Sequence, residues 1–205
     1  MSETSRSGAG RRLEAVSLAS QSPRRKELLR ALALRVVVIP SDFDEDRAEA
    51  AGEPEQLALT FACAKARMAK ATGPAVVIAA DTVVALDGQI FGKPKGTADA
   101  HAMLRALSGR EHTVYTAFVV CDRGTGEERS GVESTRVQFS ALSDTAITAY
   151  VASGDPLDKA GAYGIQGRGG LLVTSIVGDF YTVMGLPLAR VGGALAELGY
   201  DLWAS

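Results

Sequence analysis

The chain lacks the features that mark several common protein classes. Its 205 residues contain no apolar run of about 18 residues, which a membrane-spanning helix would need. It has only two cysteines, Cys63 and Cys121, whose separation fits neither a metal site nor a disulfide framework. The polar first residues do not resemble a signal peptide. We therefore expect a cytoplasmic protein with reduced thiols and no membrane partner.

An excess of positive charge is also missing. Lys and Arg together number 22 against 24 for Asp and Glu, which gives a formal net charge of -2. This balance argues against nucleic acid as a partner, because sequence-independent binding of DNA or RNA relies on basic residues. The phosphate-binding P-loop motif and the glycine-rich dinucleotide motif are absent too, which weighs against kinases and dehydrogenases. An anionic ligand would have to meet a local basic cluster.

What remains is the composition of a folded domain, with 46% hydrophobic and 22% charged residues. Residues 1–13 are rich in Ser, Gly and Arg and are predicted to be a flexible leader, followed by a single domain at 14–205. Apolar periodicity within that domain predicts strands near 14–19, 34–39, 75–80, 112–121, 133–142 and 171–177, and helices that begin near Ser22, Pro54, Thr97, Ser143 and Pro187. These elements indicate an α/β (mixed α+β) fold, in which helices flank a mixed sheet.

The segment SQSPRR at residues 20–25 crosses from a predicted strand into a predicted helix. Ser22 suits the helix cap and Pro23 the first helical position. Arg24 and Arg25 would then lie in the first turn, where the helix dipole is already positive, so a bound phosphate would relieve the conflict. Two interpretations stay open from this segment alone: a phosphate site, or a plain Ser-Pro cap with solvated arginines.

A carboxylate follows the most apolar predicted strand, since Asp81 comes directly after residues 75–80. Polar groups at strand ends of open α/β sheets often bind ligands, and Asp81 is suited to activate a water or to bind a metal. Lys65 on the preceding helix and Lys93 after a short hairpin are candidate phosphate contacts. Each residue has an ordinary alternative, as a turn former for Asp81 and as solvated surface charge for the lysines.

Two loops have unusual compositions. One is acidic and is either a solvated surface or a source of oxygen ligands for a Mg²⁺-like cation; it contains Asp42, Asp44, Glu45 and Asp46. The other is rich in glycine between residues 161 and 170. That composition indicates either a close approach of the backbone to a ligand or merely a tight, irregular loop.

Taken together, the motifs resemble those of the Maf-like nucleoside triphosphate pyrophosphatases. The matching segments occur in the family's order and cover nearly everything from residue 16 onward: LASQSPRR at 18–25, ADTV at 80–83, GKP at 92–94, ML at 103–104, LSG at 107–109, YVASG at 150–154, LDKAGAYGIQ at 157–166 and VMGLP at 183–187. One such motif would be weak, whereas the ordered set is specific.

The resemblance implies an elongated mixed sheet with two lobes around a deep cleft, as in inosine triphosphatases, and a homodimer. It implies cleavage of a nucleoside triphosphate substrate between the α- and β-phosphorus with a divalent cation, Mg²⁺ or Mn²⁺. It makes Asp81 the proton acceptor and Glu45 an assistant in metal binding. It assigns triphosphate contacts to Ser20, Arg25, Lys65 and Lys93.

A substrate preference is implied as well. Arg24, Thr82 and Gln166 are similar to the branch that acts on dTTP and UTP, whereas the 7-methyl-GTP branch has Trp, Gln and Glu there. The donor and the acceptor of the Gln166 amide suit a pyrimidine edge. Two alternatives stay open: a purine-type house-cleaning pyrophosphatase for inosine triphosphate or 7-methyl-GTP, and a non-catalytic, nucleotide-sensing regulator of cell division.

Overall fold

The chain forms a mixed α/β fold in a computed structural model that describes residues 10–39, 41, 43 and 52–204. Its strands are β1 (Arg11–Arg12), β2 (Ala15–Leu18), β3 (Arg35–Val38), β4 (Val76–Leu86), β5 (Gln89–Phe91), β6 (Glu111–Asp122), β7 (Glu127–Phe139), β8 (Val173–Val177) and β9 (Tyr200–Asp201). Its α-helices are α1 (Pro23–Ala31), α2 (Pro54–Met68), α3 (Thr97–Leu107), α4 (Asp144–Ala152), α5 (Phe180–Met184) and α6 (Leu188–Glu197). Short 3₁₀ turns lie at Asp155–Asp158, Ala160–Ala162 and Gly167–Leu172.

The main sheet is mixed, as the sequence predicted. Its strand order is β3-β2-β4-β6-β7-β8, with β5 paired to the second half of β4. Strand β2 runs parallel to β3 and to β4, and the other pairs of this sheet are antiparallel. The predicted α/β fold with a mixed sheet is therefore confirmed.

Strand β4 changes its neighbour along one edge. Its start pairs with β2 through Val77 and Ile78, and its end pairs with β5 from Val84 onward. Its other edge pairs with β6 along almost its whole length. Among the described strands, β6 alone pairs with the residues between these two segments, which include Asp81 and Thr82. A gap therefore opens in the sheet edge at these two residues.

On one face of the sheet, the buried core divides at the same place. On the β2 side of the gap, one cluster on this face packs α1 and α6 against Val76, Ile78 and Ala80. On the opposite face, a second cluster packs α2 against Val77, Ala79 and Val83 and continues past the gap. These assignments follow from the alternation of side chains between the two faces of a strand. On the β5 side, a third cluster packs α3 and α4 against the end of β4. The two parts of the core flank the gap, in agreement with two lobes around a cleft.

The position of Asp81 within its strand corrects the sequence prediction. The apolar run predicted a strand that stops at residue 80, but β4 continues to Leu86. Asp81 therefore lies in the middle of the strand and not at its end. The strand continues because β6 supplies backbone partners beyond the apolar run, up to the pair of Ala85 with Thr113.

The predicted leader also needs correction. Residues 1–13 were predicted to be a flexible leader, yet Arg11 lies in β1, pairs with Asp122 and stacks on the ring of Tyr200; residues 1–9 lie outside the described part. Helix α3 begins at Thr97, as predicted, with Gly96 in the cap position. The glycine-rich loop contains two 3₁₀ turns, Ala160–Ala162 and Gly167–Leu172, with residues 163–166 between them. No α-helix among the described residues can span a membrane.

Candidate active site

A cleft of about 460 Å³ opens at the gap beside β4, within the size range of small-molecule sites. The start of α1, the middle of α2, the loop after β5 and the 3₁₀ turns all contribute to its walls. It brings together every described residue that the sequence singled out for substrate or catalysis, namely Ser20, Arg24, Arg25, Lys65, Asp81, Thr82, Lys93 and Gln166. Glu45, the predicted metal-binding residue, lies outside the described residues.

Asp81 meets a lysine on one face of the sheet. Its side chain points to the face covered by α2, where the ammonium of Lys65 forms a close ion pair with Oδ1. Both side chains are about nine-tenths buried, at 10% exposure for Lys65 and 7% for Asp81. A buried charge is costly without a partner, so each group compensates the other. The pair forms a wall of the cleft.

Thr82 points to the opposite face and meets Arg25. The guanidinium donates from NH2 to Thr82 Oγ1 over 3.0 Å, from NH1 to Ser20 Oγ over 3.0 Å and from Nε to the Gly185 carbonyl over 2.7 Å. Gly185 has a φ of 102°, which favours glycine, and it ends α5. These bonds on several sides fix the plane of the guanidinium, which suits bidentate contact with a phosphate.

The sequence did not single out Thr116, which continues this network. Its hydroxyl is fully buried, lies 2.9 Å from that of Thr82 and donates to the Thr182 carbonyl over 2.7 Å. Because the Thr116 proton goes to a carbonyl, Thr82 must donate to Thr116 while it accepts from Arg25. A strand threonine carries no motif that would have revealed this role.

The start of α1 matches its prediction. Ser22 is the N-cap and accepts from the Arg25 backbone N–H, and Pro23 occupies the first turn. Ser20 Oγ accepts from the Ser22 backbone N–H as well as from Arg25. The predicted charge conflict at the two arginines is met by protein groups, since Arg24 pairs with a carboxylate and Arg25 with hydroxyls and a carbonyl.

The carboxylate beside Arg24 belongs to Asp158, on the opposite wall. Arg24 NH1 lies 3.2 Å from Asp158 Oδ2, and Lys159 Nζ lies 2.7 Å from Asp158 Oδ1. Burial raises the pKa of Asp158, but the Lys159 hydrogen bond and the nearby Arg24 charge outweigh it and leave the pKa below its ordinary value. Both acid and lysine occur in the motif at residues 157–166, although the sequence analysis gave them no role.

The other two predicted residues lie on exposed turns. Lys93 follows β5, and the Gly92 carbonyl beside it accepts from the Gly161 backbone N–H over 3.0 Å. Gln166 follows Gly164, whose backbone N–H donates to the Tyr150 hydroxyl over 3.2 Å. The structure therefore brings both side chains to the cleft through backbone contacts of neighbouring glycines.

A divalent cation would find a limited set of protein oxygens here. Asp81 and Asp158 are the carboxylates among the described residues that line the cleft. Asp158 already forms ion pairs with the side chains of Arg24 and Lys159. The described residues contain no group of three or more His, Cys, Asp or Glu side chains arranged around a common metal position. Mg²⁺ is often bound by one or two carboxylates together with substrate phosphates, and Asp81 fits that kind of site.

Known proteins resemble this chain over most of its length. A sequence model of the family described as "Maf-like protein" matches residues 15–198. Proteins named dTTP/UTP pyrophosphatase are 46% identical in Carboxydothermus hydrogenoformans and 49% identical in Moorella thermoacetica. The alignments cover 90% and 91% of this chain and 99% and 96% of those proteins. Among solved structures, a HAM1 protein from Coxiella burnetii has a TM-score of 0.49 and 16% identity over 90% of this chain and 100% of that one.

Proposed function

The chain belongs to the Maf-like protein family, and we propose that it hydrolyses dTTP and UTP to the monophosphate and pyrophosphate. The observation that carries this proposal is the position of Asp81 and Lys65 in one cleft with Arg25 and Lys93. A carboxylate can accept a proton from water, and the cationic groups can stabilise negative charge on a leaving pyrophosphate. The relatives named dTTP/UTP pyrophosphatase, at 46% and 49% identity, support the same activity.

In the proposed mechanism, Asp81 Oδ accepts the proton of a water that attacks the α-phosphorus. Lys65 holds this carboxylate in place through the buried ion pair. Arg25, fixed by Ser20, Thr82 and Gly185, contacts the triphosphate together with Lys93. Phosphoryl transfer depends mainly on positioning and electrostatics, which such a rigid set of donors supplies.

We also propose that the reaction uses Mg²⁺ or Mn²⁺. Glu45 is the carboxylate that the family resemblance assigns to the cation, which would be held together with triphosphate oxygens beside Asp81, while Asp81 keeps its role as proton acceptor. When bound, a divalent cation neutralises phosphate charge. Dialysis against a chelator should abolish pyrophosphate release, and addition of Mg²⁺ or Mn²⁺ should restore it.

The family resemblance assigns base selection to Arg24, Thr82 and Gln166. Arg24 and Gln166 both line the cleft, Arg24 on α1 and Gln166 directly before the 3₁₀ turn at Gly167–Leu172. The Thr82 hydroxyl is engaged by Arg25 and Thr116, so this residue would act by placing the guanidinium of Arg25. We therefore propose that Arg24 and Gln166 select the base, and that Thr82 acts through the phosphate contact and so on the rate for every nucleotide.

The test is pyrophosphate release from dTTP, UTP, ITP and 7-methyl-GTP by the wild-type protein and by Asp81→Asn. We expect the highest kcat/KM for dTTP and UTP. The substitution should lower kcat by at least about hundredfold, the usual scale for a positioned general base. Asp144→Asn, which removes an exposed carboxylate paired with Arg105, is the matched control.

Different outcomes lead to different conclusions. Near-wild-type turnover by a folded Asp81→Asn variant would contradict the role of Asp81. Preference for ITP or 7-methyl-GTP would indicate a purine-type enzyme. Tight nucleotide binding without any monophosphate product would indicate a sensor.

A homodimer and a cytoplasmic location are further proposals. Exposed apolar side chains follow one another where the last strand of the sheet ends, with Val177 at 55%, Phe180 at 40% and Tyr181 at 41% exposure. A second copy is a partner that would cover this surface. Sedimentation equilibrium should give twice the mass of the chain, and Tyr181→Glu should shift it toward the monomer.

A further inference from the structure

One ion pair crosses the mouth of the cleft. Arg24 lies in the first turn of α1, and Asp158 ends the 3₁₀ turn at Asp155–Asp158. Arg24 NH1 lies 3.2 Å from Asp158 Oδ2, and the side chains are 23% exposed for Arg24 and 57% exposed for Asp158. The pair therefore lies at the surface of the cleft and not in the core. Asp158 thereby joins one wall of the cleft to the other.

The position of Asp158 is itself fixed by a buried lysine. Lys159 is only 9% exposed, and its ammonium contacts Asp158 Oδ1 at 2.7 Å, Asp155 Oδ1 at 2.9 Å and the Asp155 carbonyl. An ammonium has three donors, and these contacts use all three. Although Lys159 lines the cleft, it is therefore engaged by the protein and serves to hold the two carboxylates.

The same contacts lead to the turn that carries Gln166. Asp155 Oδ2 accepts from the Tyr150 hydroxyl over 2.9 Å, and that hydroxyl accepts from the Gly164 backbone N–H over 3.2 Å. Gly164 is two residues before Gln166. A continuous polar chain therefore links the guanidinium of Arg24 to the backbone beside Gln166.

We propose that Asp158 is a positioning residue that orients Arg24 for recognition of the pyrimidine nucleotide. Lys159 fixes the position of Asp158 relative to the turn that carries Gln166. This inference rests on the proposed function. Among the residues that the structure describes, no other carboxylate pairs with Arg24, so without Asp158 the head of this long side chain would not be fixed at this wall. Arg24 would then sample several rotamers, and the discrimination it provides would decrease.

The test compares Asp158→Asn with the wild-type protein, using dTTP as substrate and ITP as the purine reference. Selectivity is measured as the ratio of kcat/KM for dTTP to kcat/KM for ITP. Where ITP turnover is too slow, the KM of dTTP is compared with the inhibition constant of ITP. We expect this ratio to change by about two- to fivefold toward ITP, the scale of a partly exposed ion pair. Asp158→Glu should keep most of the wild-type ratio, whereas Asp144→Asn should leave it unchanged.

A double substitution separates positioning from a merely structural role. If Asp158 acts through Arg24, Asp158→Asn should change the ratio in the wild-type protein but not in an Arg24→Gln background. An equal change in both backgrounds, or an unchanged ratio in the single variant, would overturn the proposal. These results differ from failure of the proposed function, in which the wild-type protein itself would release no pyrophosphate from any of the nucleotides.

Discussion

The two sides of the cleft are built in different ways. The phosphate side, which we define as Arg25, Lys65, Asp81, Thr82 and Thr116, stands on two helices and two long strands and is largely buried. The selectivity side, defined as Arg24, Asp158, Lys159 and Gln166, lies at the start of α1 and in or next to short 3₁₀ turns, and it has exposed members.

This difference separates two tasks. Reacting groups need positions held within a fraction of an ångström, which packed helices and strands provide. Recognition of a base tolerates a looser frame, because each contact adds only a modest preference. Changes on the phosphate side should therefore lower the rate for every nucleotide, whereas changes on the selectivity side should alter the ratio between nucleotides.

Among the substitutions that compare the two sides directly, Arg25→Lys should have the largest effect. A lysine keeps the charge but cannot contact Gly185, Ser20 and Thr82 with one planar group while it binds phosphate on two atoms. We expect kcat/KM to fall by about hundredfold, consistent with loss of charge-assisted hydrogen bonds. Pyrophosphate release from dTTP, UTP and ITP should decrease by similar factors.

The neighbouring residue provides the matched control. Arg24→Lys makes the same chemical change one position earlier, on the selectivity side. It should alter the ratio of dTTP to ITP turnover more than the rate itself. If Arg25→Lys changed the ratio and Arg24→Lys changed only the rate, the division into two sides would be wrong.

The second prediction concerns the pH dependence of the free energy of unfolding, through the buried side chain of His112. His112 is 2% exposed and its Nε2 lies 2.7 Å from the Tyr163 hydroxyl, on the segment that leads to Gln166. Burial lowers the pKa of His112 to about 4. In the unfolded chain His112 has an ordinary pKa of about 6.5, so as the pH falls the unfolded state binds a proton before the folded state does. The folded protein therefore loses stability as the pH falls from 6.5 toward 4.

Urea unfolding at pH 7.5 and pH 5 measures this loss. His112 should contribute about 2 kcal/mol of the decrease in the free energy of unfolding between these pH values. His112→Gln cannot titrate and should show a decrease smaller by that amount. An equal response in His112→Gln and the wild-type protein would exclude His112 as the cause.

The fold was largely predictable because its long elements have clear apolar patterns. Strands β2, β3 and β6 and helices α1, α2 and α4 lie close to their predicted positions. The short elements β1, β9 and α5 were not predicted. Two to five residues carry too little periodicity to signal an element, and β1 and β9 exist only because they pair with each other.

The candidate site was predictable for the residues to which the family resemblance assigns a role, and not where a tertiary contact defines the role. Ser20, Arg25 and Asp81 lie in motifs and reach the cleft. The role of Thr116 depends on the Thr82 hydroxyl across the strand pair, and that of Asp158 depends on an arginine 134 positions away in the chain. Such pairings follow from tertiary structure, which local spacing does not encode.

The third prediction tests whether Thr116, the fully buried member of the phosphate side, affects the rate alone. Thr116→Val keeps the shape but removes the hydroxyl that links Thr82 to the Thr182 carbonyl. We expect kcat/KM to fall by about tenfold for all nucleotides, because Thr82 then holds Arg25 less firmly. Thr116→Ser restores the hydroxyl and should recover most of the rate; equal activity of the two variants would contradict the link.

The smallest effect is expected for Gln166→Ala. Gln166 is exposed, so truncation should change the free energy of unfolding by less than about 0.5 kcal/mol, the scale of surface substitutions. The ratio of dTTP to ITP kcat/KM should nevertheless fall by roughly three- to tenfold, because a lost amide contact is worth about 1 kcal/mol. Exposed Arg168 gives the control, since Arg168→Ala removes a long side chain two positions further along the same turn segment. An unchanged ratio in Gln166→Ala, or an equal change in Arg168→Ala, would mean that the turn and not the amide discriminates between bases. Selectivity would then depend on the backbone of this segment and not on the Gln166 side chain.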